Sequence, residues 1–190
     1  MMLLNHLLIA GAFKMGLNKN HLLEVLNHVF NGIIMHDFNY GGMDYFDEKI
    51  IYNFFHNKTW QELVVNLDIK SAAYPLELAT YYFNEKNFKY YIPLYIYASL
   101  LNEKGWVFDS CFIDRYLSPD YQEIESFLSL FDTFSNPQLN VISQYMHYAG
   151  YNIGYLSART AFEIFWEIFY NPRINGESIF FGYENMDTSE

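Results

Sequence analysis

Apolar residues fall at 22, 25, 26, 29, 30 and 33 in the segment 20–36, the spacing of one helical face. This predicts a helix there, with Asn20 as its cap and the Asn39-Tyr40-Gly41-Gly42 cluster as its breaker. Asp44 is placed to cap the next segment, in which Tyr45, Ile50, Ile51, Phe54 and Phe55 make an apolar face. Thr59-Trp60-Gln61-Glu62 reads as a capping box. Its hydroxyl and carboxylate, three residues apart, exchange hydrogen bonds with free backbone amides and open a short helix over 60–66.

From Tyr90 to Leu101 the chain is apolar around its whole circumference, which places a helix in the middle of a domain. Pro93 lacks an amide proton and is expected to split or kink that helix. Ser118-Pro119 and Asn136-Pro137 each set a capping side chain before a proline at the first helical position, and predict helices from 119 to about 132 and from 137 to about 149. Leu156, Phe162, Phe165, Trp166, Ile168 and Phe169 predict a long aromatic helix ending before Asn171-Pro172. Alternating strand patterns are nearly absent, and no repeat or linker divides the chain. The expectation is an all-α fold: one domain over 1–190, about seven or eight short helices around an aromatic-rich core, with 171–190 an acidic C-terminal tail in which Ser178-Ile179-Phe180-Phe181 can pair locally.

Composition agrees with a folded core: of 190 residues, 52% are hydrophobic and 17% charged, with 18 Phe, 18 Tyr and 3 Trp. One cysteine excludes an intrachain disulfide and makes a reducing, cytoplasmic setting the expectation. The opening apolar run, 1–12, has no preceding base and is shorter than the roughly 20 residues that span a bilayer, so no membrane segment is expected.

Charge changes the picture most. The net charge is −11, and residues 103–190 carry 13 acids against Lys104, Arg115, Arg159 and Arg173, whereas the first 102 residues are nearly balanced. Direct binding to nucleic acid is thereby disfavoured, because affinity for phosphates needs clustered bases. An acidic surface of this kind keeps a protein soluble, and it also steers a basic partner.

Candidate chemistry is thin. His21, His28 and His36 recur along one stripe, but two helical turns separate neighbours by about 10 Å, too far for one metal ion. Cys111 is flanked by Asp109 and Asp114, which oppose a thiolate; it reads as a small buried hydrophobe. No phosphate-cradling glycine loop or nucleophile elbow occurs, and no cofactor or metal is expected. Glu163 and Glu167, four apart, form the carboxylate pair best placed for general acid/base work in a helical cleft, the basis of an alternative reading as an enzyme. Tyr145, Tyr148, Tyr151 and Tyr155 form a stripe that reads first as core and second as contact surface. A homo-oligomeric structural protein is the third reading, and an exposed aromatic patch would mark it.

Trp60-Gln61-Glu62-Leu63 and Phe88-x-Tyr90-Tyr91-Ile92-Pro93-x-Tyr95 resemble an uncharacterised bacterial family whose members carry a Trp-x-Glu-Leu helix start and an aromatic-proline-aromatic helix, a likeness covering about 60–100. The small acidic chain also resembles, in style, the immunity proteins of bacterial toxin systems, including contact-dependent growth inhibition. That resemblance implies an inhibitor that neutralises a partner toxin by binding it; the acidic charge makes a basic toxin domain of nuclease type the expected target, covered at its active-site cleft, because a cleft built for phosphates attracts carboxylates in similar positions. From the placement of acids, the expected partner-binding residues are Asp120, Glu123 and Glu125 on the proline-capped helix, Asp132 at its end, and Glu184 and Asp187 in the tail.

Overall fold

The computed structural model describes residues 19–35, 45–102, 104–119, 123–171, 173–174 and 177–178. Among them are nine α-helices: α1 (Lys19–Val29), α2 (Phe46–Phe55), α3 (Trp60–Val65), α4 (Ile69–Tyr82), α5 (Glu85–Leu100), α6 (Phe108–Phe112), α7 (Ile124–Ser129), α8 (Asn136–Tyr148) and α9 (Leu156–Ile164). Two π-helical turns, Ile113–Leu117 and Ala149–Ile153, and a 3₁₀ turn, Trp166–Phe169, complete the helical set. Two-residue strands β1 (Arg173–Ile174) and β2 (Glu177–Ser178) pair antiparallel, so Ser178 does pair locally, with Arg173. The fold is all-α, and its buried side chains form one aromatic-rich core.

That core is built around α5. Twelve of its side chains are buried on every side, and the helix runs through Pro93 without interruption, contrary to the expected split. A proline in a helix costs about 3 kcal/mol, which the burial of Phe88, Tyr91, Ile92, Leu94, Tyr95 and Ile96 exceeds at about 1.5–3 kcal/mol each. Tyr95 stacks on Phe112 at 4.2 Å and Phe88 on Tyr116 at 4.7 Å, while Phe55 meets Tyr91 edge-on at 4.8 Å. The buried phenols find backbone acceptors: Tyr91 donates to the Lys58 carbonyl and Tyr95 to the Leu76 carbonyl.

Several boundaries differ from expectation. In α1, Leu22, Leu26, Val29 and Phe30 face the core as the pattern predicts. The helix nevertheless ends at Val29, where Gly32 takes the left-handed conformation (φ 87°), and Lys19 already lies inside it, so Asn20 is not its cap. The capping box at Thr59 and Glu62 forms as read, and Asp44 lies outside the described residues. Helix α4 occupies a stretch to which the pattern assigned no element; its buried face is made of Ala72, Ala73, Leu76, Ala79 and Thr80, with Pro75 inside it. Pro119 does not begin α7, which starts at Ile124 behind Glu123, and α8 is capped by Ser135, one residue before the expected Asn136.

The aromatic helix also breaks: α9 stops at Ile164, Phe165 adopts φ −138°, and Trp166 opens a separate turn. The reason lies in tertiary contacts. Trp166 Nε1 donates to the Leu117 carbonyl at 2.7 Å and Ser143 Oγ donates to the Trp166 carbonyl at 2.6 Å, which together draw the indole inward. No helix among the described residues is long and apolar enough to cross a membrane.

Candidate functional site

Of the residues expected to meet a partner, Glu123, Glu125 and Asp132 are described and exposed; Asp120, Glu184 and Asp187 lie outside the described residues. Glu123 is the N-cap of α7, and its exposed side chain makes no capping bond. Glu125 sits in the first turn, where the helix dipole favours an anion. Between and beyond them, Ile124 and Leu128 are 56% and 47% exposed, one helical turn apart. Phe127 alone of this helix is buried: its ring meets Phe165 at 4.8 Å and Phe131 at 5.2 Å, edge to face. Helix α7 therefore hangs on one aromatic anchor and turns two carboxylates and two aliphatic side chains outward.

Asp132 differs from its neighbours. Its carboxylate lies 3.1 Å from Lys89 Nζ, which also binds Glu85 at 2.5 Å and leans toward the Ser129 carbonyl. Burial works against the Lys89 charge, but the Glu85 and Asp132 carboxylates outweigh it and hold the ammonium pKa above its usual value. One of the expected binding acids is thus partly neutralised from within.

Beside this helix opens a cavity of about 600 Å³, lined by Thr80, Tyr81 and Phe83 at the end of α4, Glu85 at the start of α5, Cys111, Asp114, Arg115 and Tyr116 around the first π-helical turn, and Leu130 just after α7. Its size is that of a small-ligand site. The π-helical turn carries three of the lining residues, and such turns concentrate at functional sites. Tyr116 forms the floor: its hydroxyl donates to the Thr80 and Phe83 carbonyls at 2.8 and 3.3 Å, and burial pushes its pKa up to about 12. The Arg115 guanidinium lies over the Tyr81 ring, 5.4 Å from its centre. Asp114 keeps one carboxylate oxygen, Oδ1, buried without a hydrogen-bond partner. Of these residues only Cys111 was weighed in the sequence as candidate chemistry, and none was read there as part of a site. The signal available there was Arg115 standing between Asp114 and Tyr116, one of few bases in an acidic half.

Cys111 is half-buried and faces this cavity, not the core as expected, with its sulfur 3.9 Å from the Tyr81 hydroxyl. Burial raises its thiol pKa, and the charges of Glu77, Asp114 and Asp109 add to the shift against the Tyr81 contact. The thiolate is disfavoured, as the flanking acids imply.

Glu163 and Glu167 do not form a pair on one helix, because the break at Phe165 falls between them, and both are exposed. Glu163 accepts from the Tyr151 hydroxyl at 2.8 Å and Arg159 Nε at 3.0 Å, and these bonds hold its carboxyl below the usual range. A general acid needs the opposite shift. The tyrosine stripe divides: Tyr145 is buried, Tyr148 and Tyr155 are half-buried and Tyr151 is exposed. Among the described residues no group of His, Cys, Asp and Glu is arranged to hold a metal ion; His21 and His28 stand seven residues apart on α1, and His36 lies outside the described residues.

One buried acid was not expected. Asp109, at 1% exposure, accepts from Asn102, Tyr155 and Ser99 on Oδ2 at 2.8, 2.9 and 3.3 Å, and from the Ser110 amide on Oδ1 at 2.8 Å. Tyr145 donates to Ser99 Oγ at 2.8 Å and extends the network to α8. Its lone pairs are taken up by the fold, so this acid ties helices together and is not open to a ligand.

No family model, curated protein or solved structure matches this chain.

Proposed function

We propose that this chain is a cytoplasmic binding protein that neutralises a basic toxin domain, of nuclease type, by covering its substrate cleft. The observation that carries this reading is α7, where the exposed Glu123 and Glu125 are interleaved with the exposed Ile124 and Leu128. A cleft that binds phosphates is lined by bases and attracts carboxylates set at similar positions, while the aliphatic pair supplies desolvated contact that charge alone does not. The net charge of −11, concentrated in the second half of the chain, supports fast encounter with such a partner.

The test is protection. Coproduced with a toxin domain encoded beside it, the chain restores growth of the host cell, and the double variant Glu123→Lys/Glu125→Lys does not. The purified pair associates more slowly as ionic strength rises from about 20 to about 500 mM, where the screening length shrinks several-fold. Undiminished protection by the double variant, or an association rate indifferent to salt, overturns the proposal.

A further inference from the structure

The break at Phe165 draws two aromatic rings inward and leaves two isoleucines in water. Trp166 reaches the Leu117 carbonyl and Phe165 packs edge to face on Phe127 at 4.8 Å, whereas Ile164 and Ile168, on either side of them, are 57% and 80% exposed. The outer row of α9 begins the same way: Leu156, two turns before Ile164, is 76% exposed. Aliphatic side chains scattered singly over a surface call for no explanation, but a contiguous group rimmed by charge marks a contact surface.

This group joins α7. Phe127, the anchor of that helix, lies between Ile124 and Leu128 in the chain, and its ring meets that of Phe165, which lies between Ile164 and Ile168. Phe165 is itself only half-buried, so the joint between the two exposed pairs is apolar at the surface. The charge around them is unbalanced. Arg159, the base on α9, is engaged by Glu163 and lies over the Tyr151 ring. Glu123, Glu125 and Glu167 are exposed and take part in none of the ion pairs among the described residues. In an unbroken helix Glu167 would continue the row of Arg159 and Glu163; the break takes it out of that row. Aliphatic pairs bordered by three uncompensated carboxylates are the complement of a basic surface with an apolar centre.

We propose that the partner-binding face continues from α7 across the joint of Phe127 and Phe165 onto the end of α9 and the 3₁₀ turn, with Ile164 and Ile168 as its second apolar anchor and Glu167 as its third acid. The occupant is a basic protein surface that presents aliphatic or aromatic side chains among its cations. This rests on the proposed function for the identity of that partner as a toxin domain, but the face itself is tested on the isolated chain.

The experiment follows the amide resonances of the full chain by NMR while three capped helical peptides of one pattern are added, built from leucine and lysine, from leucine and glutamate, and from serine and lysine. The leucine–lysine peptide saturates and shifts the amides of 124–128 and 164–168 together, and neither control does. Ile164→Ser/Ile168→Ser, at exposed positions where serine supports a helix about as well as isoleucine, weakens that peptide about tenfold. Ile168→Ser alone, outside α9, weakens it in the same direction, and Phe46→Ser, an equally exposed apolar position on α2, changes nothing. Absence of saturation, equal binding of either control peptide, shifts confined to 124–128, or undiminished binding by the double variant overturns the extended face. With the toxin domain, the double variant raises the dissociation rate about tenfold and leaves association as it is, and Glu167→Lys slows association at low salt. Full protection with unchanged dissociation in the double variant overturns the extension and leaves the proposed function standing. Peptide binding across both segments in a chain that gives no protection removes the toxin as partner and leaves the face.

Discussion

The Tyr155 hydroxyl donates to Asp109 Oδ2 at 2.9 Å, joining the segment that leads into α9 to the start of α6 across 46 residues of sequence. Asp109 is almost wholly buried and has no cation beside it among the described ion pairs; four hydrogen-bond donors stand in for one. Removing a donor from such a network leaves the charge with less compensation. Tyr155→Phe is expected to lower unfolding free energy by about 1–2 kcal/mol and Asp109→Ala by about 3 kcal/mol or more, read from urea denaturation midpoints with the slope unchanged. Equal stability of the Tyr155 variant and the parent would show that the network is not strained for donors.

Alkaline pH attacks the same core. Burial raises the pKa values of Tyr91, Tyr145 and Tyr155, and that of Tyr116 to about 12, all above the unfolded value near 10. Above pH 10 the unfolded chain loses these phenolic protons while the folded chain keeps them, so the unfolded state binds fewer protons and stability falls as pH rises. For Tyr116 the window is pH 10 to 12, and each such group contributes up to about 1.4 kcal/mol per pH unit. The urea midpoint is expected to hold steady from pH 7 to 9 on this account and to drop steeply from pH 10 to 11. A flat profile across that interval would mean that the buried phenols ionise freely in the fold.

Gly150 sits where the second π-helical turn crosses α9. A β-carbon there would lie 2.7 Å from Arg159 Cα and 2.8 Å from its nitrogen, backbone atoms that have little room to yield, and 2.9 Å from its Cβ. Gly150→Ala is expected to destabilise by about 1–3 kcal/mol through overpacking. Gly154, at φ 94° with open space around it, is expected to lose about 1 kcal/mol on the same change from backbone strain alone. Thermal unfolding midpoints of both variants check these expectations, and shortening the Arg159 side chain is not expected to rescue Gly150→Ala, because its two nearest clashes are with backbone.

Among the acids expected to face a partner, the effects of substitution should be unequal. Glu123→Lys and Glu125→Lys are expected to slow association severalfold each at low salt, and Ile124→Ala with Leu128→Ala to raise the dissociation rate. Asp132→Asn is expected to change association less than either, since Lys89 already balances it, and to cost little stability because the bridge is exposed on the carboxylate side. Stopped-flow binding of the variants, measured at two salt concentrations, checks the order. An Asp132 variant as impaired as the Glu123 variant would remove the distinction drawn from the Lys89 bridge.

The helical class, the central place of 90–101, the capping box at Thr59 and the buried face of α1 follow from residues within a turn or two of each other, where hydrophobic period and capping chemistry act locally. Sequence also set the sign and uneven placement of charge, and with it the class of partner worth proposing. What it left undecided depends on contacts between distant segments. Pro93 predicts a split or a kink by its own geometry, and the enclosing shell of aromatic side chains carries the helix through it unsplit. The aromatic run after Leu156 reads as one helix until Trp166 is drawn to the Leu117 carbonyl, 49 residues away. Helix α4 hides behind small alanines and Pro75, whose pattern is weak until α2 and α6 supply the surface they pack on. The same holds for function: a count of acids does not reveal that Asp132 is paired with Lys89, or that Asp114 and Arg115 share an aromatic cavity with residues from α4, because which charges remain available is decided by packing and not by position in the chain.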